Sequence, residues 1–530
     1  MRDQVSKSWS GVLLLALLPL WTACERRTSP LLETKGGGGE FRVLLPIEPR
    51  DLDPNSTQDE ISLLLAPNLY NRLVMLDIDS RLHPDLAASW EVGQGGLEYT
   101  FHLREGVRWH DGRPFAAADV RWTLEHLARR PSYAVEALRR IAAVETPDER
   151  TVVVRLTEPW APFLATIAVH GVFILPRPEP GAPEKDPGRG KPVGTGPFRF
   201  AEWVQGQRIV LTANRSFFRP GPFLDRVVFT FEPDSNRSPE LLASGRADYA
   251  MLRPSAALLP RLARDPRLRV LTSPSEGRYY LAFNLRRPPF GDPRVREAFN
   301  RALDRTALLE RALYGYGAPG FGFYTPAVAW AYDPAARAPD FDPGRARALL
   351  DAAGLTPDRR GVRLAPELLC PDTTPFPEIA RVLVEQFQTV GVAVRIEPMT
   401  AGQWFERTRR HDFDLTLMGG GHGPDPENLN SRFGSRGPTQ IMGYASAEFD
   451  AAVREGARAL DLGRRARAYF RAQRILARDL PIAPLAEGVM VTICRREVTG
   501  LPRAEARGLV PDYDYSLVRV RRPGAAGGDQ

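Results

Sequence analysis

The residues with the greatest capacity for chemistry stand together in one short run, Gly419-Gly420-Gly421-His422-Gly423-Pro424-Asp425-Pro426-Glu427. Glycines let a backbone approach another molecule closely, and His422, Asp425 and Glu427 add charge and hydrogen-bonding capacity. The run is read as a ligand-approach segment in preference to a plain surface turn. Other constellations are weaker. Asp51 and Asp53 could work as an acid and base pair, but Asp53-Pro54 also reads as a turn. There is no G-x-S-x-G, no S-x-x-K and no H-E-x-x-H, and the seven histidines (83, 102, 110, 126, 170, 411 and 422) are scattered. Three cysteines cannot build a zinc ribbon. Gly194-Thr195-Gly196-Pro197 lacks the later glycine of a dinucleotide loop, and the run at 419 lacks the lysine of a phosphate loop. The expectation is a binding protein without catalytic residues, metal or cofactor, with a hydrolase as the remote alternative.

The elements that position this run come next. With 530 residues the chain is too long for one core and divides into two or three lobes. A hydrophobic content of 43% with 25% charged residues is that of a globular protein, and 49 prolines imply many loops. The net charge of +7 comes almost wholly from dispersed arginine, lysine being confined to Lys7, Lys35, Lys185 and Lys191. Nucleic-acid binding needs a clustered basic stripe, so it is not expected. At the start, Arg2 and Lys7 precede an apolar run from Gly11 to Leu20 and then Trp21-Thr22-Ala23-Cys24. That run is shorter than the roughly 20 residues of a membrane span and fits a cleaved export signal. Cys24 is read as a lipidated cysteine although Trp21 departs from a lipobox, with cleavage nearby and no anchor as the alternative. The polar stretch Glu25 to Gly39 then serves as a flexible tether. Cys370 and Cys494 lie in apolar strand-like runs and are read as two buried thiols, though an oxidising compartment would permit a disulfide.

Phe41 to Ile47 reads as a strand ending at Glu48 to Pro54, and residues 60–190 as an inserted lobe holding the strand Glu98 to Leu103 and a helix from Ala116 to Arg130. From residue 274 strands and helices alternate. Asp292 to Leu313 places Val295, Phe299, Ala302, Leu303 and Leu309 on one helical face. Asp342-Pro343 to Gly354 carries an N-cap, a first-turn proline and a terminating glycine. The strand Arg363 to Cys370, the helix Glu378 to Val390, the strand Val392 to Ile396, a helix around Trp404 to Arg410 and the strand Phe413 to Leu417 follow. Such alternation implies a parallel sheet, and ligands of open parallel sheets sit beyond the carboxyl ends of strands, where the run at 419 emerges.

Leu52-Asp53-Pro54, His83-Pro84-Asp85-Leu86-Ala87-Ala88-Ser89-Trp90, Tyr99 to Arg104, Val107-Arg108-Trp109-His110-Asp111-Gly112, Gly194-Thr195-Gly196-Pro197-Phe198, Phe283-Asn284 and Asp292-Pro293-Arg294-Val295-Arg296 occur in this order. The ordered set resembles the extracellular solute-binding proteins of family 5, the peptide- and nickel-type receptors of ABC importers, over about residues 40 to 518. The resemblance implies an α/β, two-lobed periplasmic-binding-protein fold, type II and cluster C-like, closing on ligand by hinge motion. It implies a lipoprotein signal at 1–24, a tether at 25–39, lobe I at 40–272 with a subdomain inserted at about 60–190, and lobe II at 273–483. Residues 484–520 return to lobe I and 521–530 form a disordered tail. The implied protein is a monomer, anchored outside the inner membrane, that delivers di- or oligopeptides or a related small polar solute to a permease; a metal or metallophore receptor on the same scaffold is the alternative. In peptide-binding members an aspartate that pairs with the ligand's α-amino group stands where His422 stands here, and Gly420 replaces a frequent tryptophan. Histidine is neutral or cationic, so a free-amine peptide is less secure, although Asp425 could take the amine. Glu48, Arg50, Tyr279, Tyr280, Asn284, Tyr324 and Trp404 match ligand-facing stretches, each with a core role also open to it. They complete the expected ligand set of Gly420, Gly421, His422 and Asp425. Trp90, Trp109 and Phe198 are assigned to core. Ala116 stands where the family usually has a threonine N-cap, worth about 0.5–2 kcal/mol.

Overall fold

The computed structural model describes residues 38–55, 60–77, 80–130, 135–169, 172–179, 191–250, 258–421, 423, 425–502 and 513–521. Cys24, the tether to residue 37, His422 and the tail from residue 522 lie outside the described residues.

One large sheet runs through the molecule, and it is built as two halves. In the first, Glu40–Leu45 pairs in parallel with Arg226–Phe231 and Tyr249–Ala250, and Arg208–Ala213 and Phe198–Val204 extend it antiparallel. In the second, Glu367–Pro371 pairs in parallel with Arg395–Met399 and Leu415–Gly421. Two long antiparallel strands, Leu268–Phe283 and Ile482–Arg495, join the halves: the first pairs with Leu415–Gly421 and the second with Tyr249–Ala250. The expected parallel sheet is therefore mixed. The alternating strands and helices after residue 363 form parallel pairs, but the joining strands run antiparallel to Leu415–Gly421 and to each other.

Each half has its own core. Phe41, Val43, Leu45, Phe229, Tyr249, Cys494 and Tyr515 pack in the first, and Leu281, Phe283, Phe299, Leu368, Cys370, Leu383 and Leu415 in the second. Cys370 and Cys494 are thus buried thiols in different clusters. Burial pushes the Cys370 thiol up to about 11, which makes it inert at neutral pH. A separate four-stranded antiparallel sheet spans Ala87–Gly93 to Thr151–Leu156, within the stretch read as an inserted lobe. Its core holds Tyr99, Phe101, Trp109, Val120, Val152 and Val154, with Trp90 half-buried at its margin. The helix Ala117–Leu127 lacks a side-chain cap at Ala116, and instead the Asp119 carboxylate accepts from the Ala116 N–H at 3.0 Å. That bond satisfies one of the donors left open at the helix start.

The Gly194-Thr195-Gly196 segment passes against the end of helix Glu60–Leu69. A Cβ on Gly194 would lie 1.9 Å from the Leu69 carbonyl oxygen and one on Gly196 2.4 Å from the Leu69 carbonyl carbon. Gly196 N donates to that oxygen at 2.9 Å, so these glycines are required by a backbone contact that side chains would exclude. The expected continuous helix from Asp292 to Leu313 is two helices, Pro293–Arg301 and Arg305–Leu313. Asp304 restarts the chain as an N-cap by accepting from Ala307 N at 2.9 Å, and the five predicted core residues remain buried because the break preserves their common side. Asp342 caps Pro343–Ala352 in the same way.

Candidate functional site

Parallel pairing aligns the carboxyl ends of Glu367–Pro371 and Leu415–Gly421 at one edge of the second half. The glycine run begins there as strand and not as loop: Gly419, Gly420 and Gly421 pair with Tyr279, Arg278 and Gly277. Two facts demand glycine. A Cβ at Gly419 would meet Phe376 Cζ at 3.0 Å and Tyr279 Cδ1 at 3.1 Å, and Gly420 has φ of 119°. Beside this ladder Leu268–Phe283 slips against its partner, five residues from Pro274 to Arg278 facing only three from Val489 to Glu487. The slip falls where the joining strands leave one half for the other. From the first half, Glu48 and Arg50 follow the carboxyl end of Glu40–Leu45. The Glu48 carboxylate is fixed by Trp203 Nε1 at 2.8 Å and Gly206 N at 3.0 Å, while Arg50 is exposed.

The structure divides the remaining predicted residues. Tyr279 is half-buried at the glycine ladder, edge-on to Phe376 at 6.0 Å. Tyr280 points to the opposite face of the sheet and is buried, its hydroxyl accepting from Arg432 Nη1 at 2.9 Å. Tyr324 is also buried and donates to the Gly423 carbonyl at 3.1 Å, which ties the 315–332 segment to the glycine run. Two residues, Asn284 and Trp404, lie away from the edge. Asn284 is fully buried, and its amide donates to the carbonyls of His411 at 2.9 Å and Phe413 at 2.8 Å. It follows Phe283, which pairs with Leu415 at the amino end of the ladder. Six residues of strand, at about 3.4 Å each, separate that point from Gly421. Trp404 is bonded through Nε1 to Thr416 Oγ1 at 2.8 Å, near the same distant end. Asp425 is engaged by Arg465, whose Nη2 donates to both carboxylate oxygens at 2.9 and 2.8 Å, so it is not available to receive a ligand amine.

Several charged groups escaped the sequence reading. Arg278 and Glu487, register partners at the slip, are buried with Arg278 Nη2 3.0 Å from Glu487 Oε1. Burial pushes the Glu487 carboxyl up against the opposing pull of Arg278. The sequence hardly marks them, since Leu268–Phe283 also carries Arg269, Thr272, Ser273 and Ser275. Glu427 stands beside the Asp425–Arg465 pair, its carboxylate accepting from Asn430 Nδ2 at 3.0 Å. Burial raises it to about 7. Among the described residues no group of three or more His, Cys, Asp or Glu is placed to hold a metal ion. Asp51 and Asp53 accept backbone N–H groups two residues ahead of each, as turn residues do.

The sequence and the fold of this chain are similar to those of known proteins. The glutathione-binding protein GsiB of Salmonella typhimurium is 29% identical over 504 residues, covering 88% of this chain and 91% of the relative. The probable ABC transporter periplasmic-binding protein SapA of Escherichia coli is 31% identical over 471 residues, covering 82% and 85%. The crystal structure of the ABC transporter substrate-binding protein CtaP of Listeria monocytogenes superposes with a TM-score of 0.82 at 23% identity, covering 92% of this chain and 100% of that one. The family profile described as bacterial extracellular solute-binding proteins, family 5, middle, matches residues 81–440. The chain therefore belongs to the bacterial extracellular solute-binding proteins of family 5.

Proposed function

We propose that this receptor serves an ABC importer and holds a peptide, or a related small polar solute, in the crevice between the two half-sheets. The observation that carries the reading is the glycine ladder Gly419–Gly421 against Gly277–Tyr279, a strip rich in glycine backbone at the carboxyl edge of parallel strands. Backbone groups approached closely suit a ligand that is itself a peptide chain, because recognition then rests on main-chain hydrogen bonds that any sequence supplies. Tyr279 gives the strip an aromatic neighbour, and Glu48 and Arg50 follow the carboxyl end of a strand of the other half. GsiB and the di/tripeptide-binding protein 1 of Pseudomonas aeruginosa, 28% identical over 486 residues, carry names for ligands of this class. With Asp425 paired to Arg465, His422 is the proposed discriminating residue, and it favours ligands without an obligatory free ammonium.

Lobe I is proposed as residues 40–272 with the subdomain at 60–190, lobe II as 273–483, and 484–520 as the return to lobe I. The register slip between Pro274 and Arg278 supports a hinge at those boundaries, since a slipped ladder bends with the loss of fewer regular bonds. Lipidation at Cys24 would anchor a monomer at the outer face of the inner membrane or in the periplasm, without enzymatic activity. Among the described residues no helix is long and apolar enough to cross a membrane. A thermal-shift screen of dipeptides, tripeptides, glutathione, oligopeptides and nickel chelates tests the ligand class. A ligand at 100 times its dissociation constant should stabilise the protein by about 2.7 kcal/mol. Stabilisation by nickel chelates and by no peptide would overturn the peptide reading.

A further inference from the structure

A second candidate site, whose lining shares no residue with the glycine ladder, is a cavity of about 520 Å³ between residues Arg140 to Trp160 and the segment from Glu427 to Arg458. That volume is in the range of small-molecule pockets. Four arginines line it, Arg140, Arg436, Arg454 and Arg458. The acids along the wall have other partners. Glu158 pairs with Arg140 and, at 3.4 Å, with Arg458, and Asp450 accepts from Ser435 N at 3.0 Å. Glu427 accepts from Asn430, and burial holds it partly protonated near neutral pH. Arg436 and Arg454 are exposed and form no ion pair among the described residues. The positive charge of the wall is therefore left in excess.

The second observation concerns buried donors. Trp160 lines the cavity at 6% exposure, and its indole N–H has no hydrogen-bond partner among the described residues. The Nε of Arg140, whose guanidinium stacks over the Trp160 ring at 4.9 Å, is buried and lacks a partner as well. A buried donor left without an acceptor costs free energy, and two of them on an arginine-rich wall create a demand for acceptor oxygens. The geometry points to a second ligand site, distinct from the glycine ladder, that takes a small anion carrying carboxylate or phosphate groups. The cavity's two walls already meet through Ala161 N and the Ala457 carbonyl at 2.8 Å and through Glu158 and Arg458. An anion held by Arg140 and Trp160 on one side and Arg436 and Arg454 on the other adds a cross-link, and favours the arrangement in which the walls stand close.

Calorimetric titration of the purified protein with inorganic phosphate and with citrate tests the site for a free solute, and co-flotation with phosphatidylglycerol vesicles tests it for a lipid headgroup. Saturable binding in either arm should weaken about tenfold or more in Arg436→Ala/Arg454→Ala, whose exposed side chains are dispensable for folding. Trp160→Phe keeps the ring and removes the N–H, and should weaken binding several-fold where general charge attraction would be indifferent. Absence of saturable binding in both arms, or binding unchanged in both variants, overturns the proposal. Neither result bears on peptide binding in the crevice, which is read separately by the thermal-shift screen.

Discussion

The Asp425–Arg465 pair allows the sharpest quantitative prediction, because the two readings of Asp425 diverge on it. Both side chains are about nine-tenths buried, Arg465 Nη2 spans both carboxylate oxygens, Arg465 Nε donates to the Gly456 carbonyl at 3.1 Å, and the guanidinium lies over the Trp330 ring at 5.0 Å. Arg465→Met keeps most of the side-chain length and removes the charge. It strands the Asp425 carboxylate in a desolvated place beside Glu427, with the Glu427 N–H at 3.0 Å as its remaining donor. Breaking a buried pair from one side costs about 3–5 kcal/mol, whereas replacing both partners is often close to neutral. Arg465→Met should therefore lose about 3–5 kcal/mol and Asp425→Asn/Arg465→Met distinctly less. Urea unfolding with an unchanged m-value reads the difference directly. A loss below about 1 kcal/mol in the single variant, or a double variant worse than the single, would refute a structural role for the pair. In the same preparations Asp425→Asn should leave ligand affinity close to wild type; a large loss of affinity in a folded variant would return Asp425 to the ligand.

Three further outcomes are expected. Glu427 holds its proton in the folded chain to about pH 7, against an ordinary value of 4.5. The folded state then binds more protons between those values, so its stability falls as pH rises through that window and levels off above it. Glu427→Gln should flatten this slope and gain up to about 3 kcal/mol at pH 8, and an unchanged slope in urea titrations at pH 5 to 8 would contradict the burial argument. Gly194→Ala must displace the Leu69 backbone, since its Cβ would lie 1.9 Å from a carbonyl oxygen. It should cost more than about 3 kcal/mol or fail to fold, and a near-native melting temperature would be inconsistent with the contact. His422→Ala should weaken binding of the ligand found by screening while leaving stability unchanged, and unaltered affinity would remove His422 from the site.

Much of the fold was legible where local chemistry and tertiary context agree. The N-cap at Asp342, the strand Glu98–Leu103 and the core around Phe299 follow from periodicity and capping residues alone. The mixed pairing of the sheet was not, because strand direction depends on which elements the joining strands contact far along the chain. Asp304 shows the limit at short range: the apolar stripe from Val295 to Leu309 continues through a helix break that only the cap reveals. At the proposed site, loop and strand glycines look alike in the sequence until the ladder to Gly277 and Tyr279 is formed. Asn284 and Trp404 lie near the end of the ladder opposite to Gly421, a placement that the sequence pattern does not reveal. Arg278 and Glu487, 209 positions apart by number, become partners only through register.

The central claim is that a single small solute is captured between the halves. Native mass spectrometry of the purified protein, titrated with the peptide panel, measures this most directly. One saturable equivalent per chain, lost in a variant carrying Gly420→Val and Tyr279→Ala but retained in Arg436→Ala/Arg454→Ala, is the predicted result. No adduct from the panel, or conversion of a peptide to products, would contradict the account.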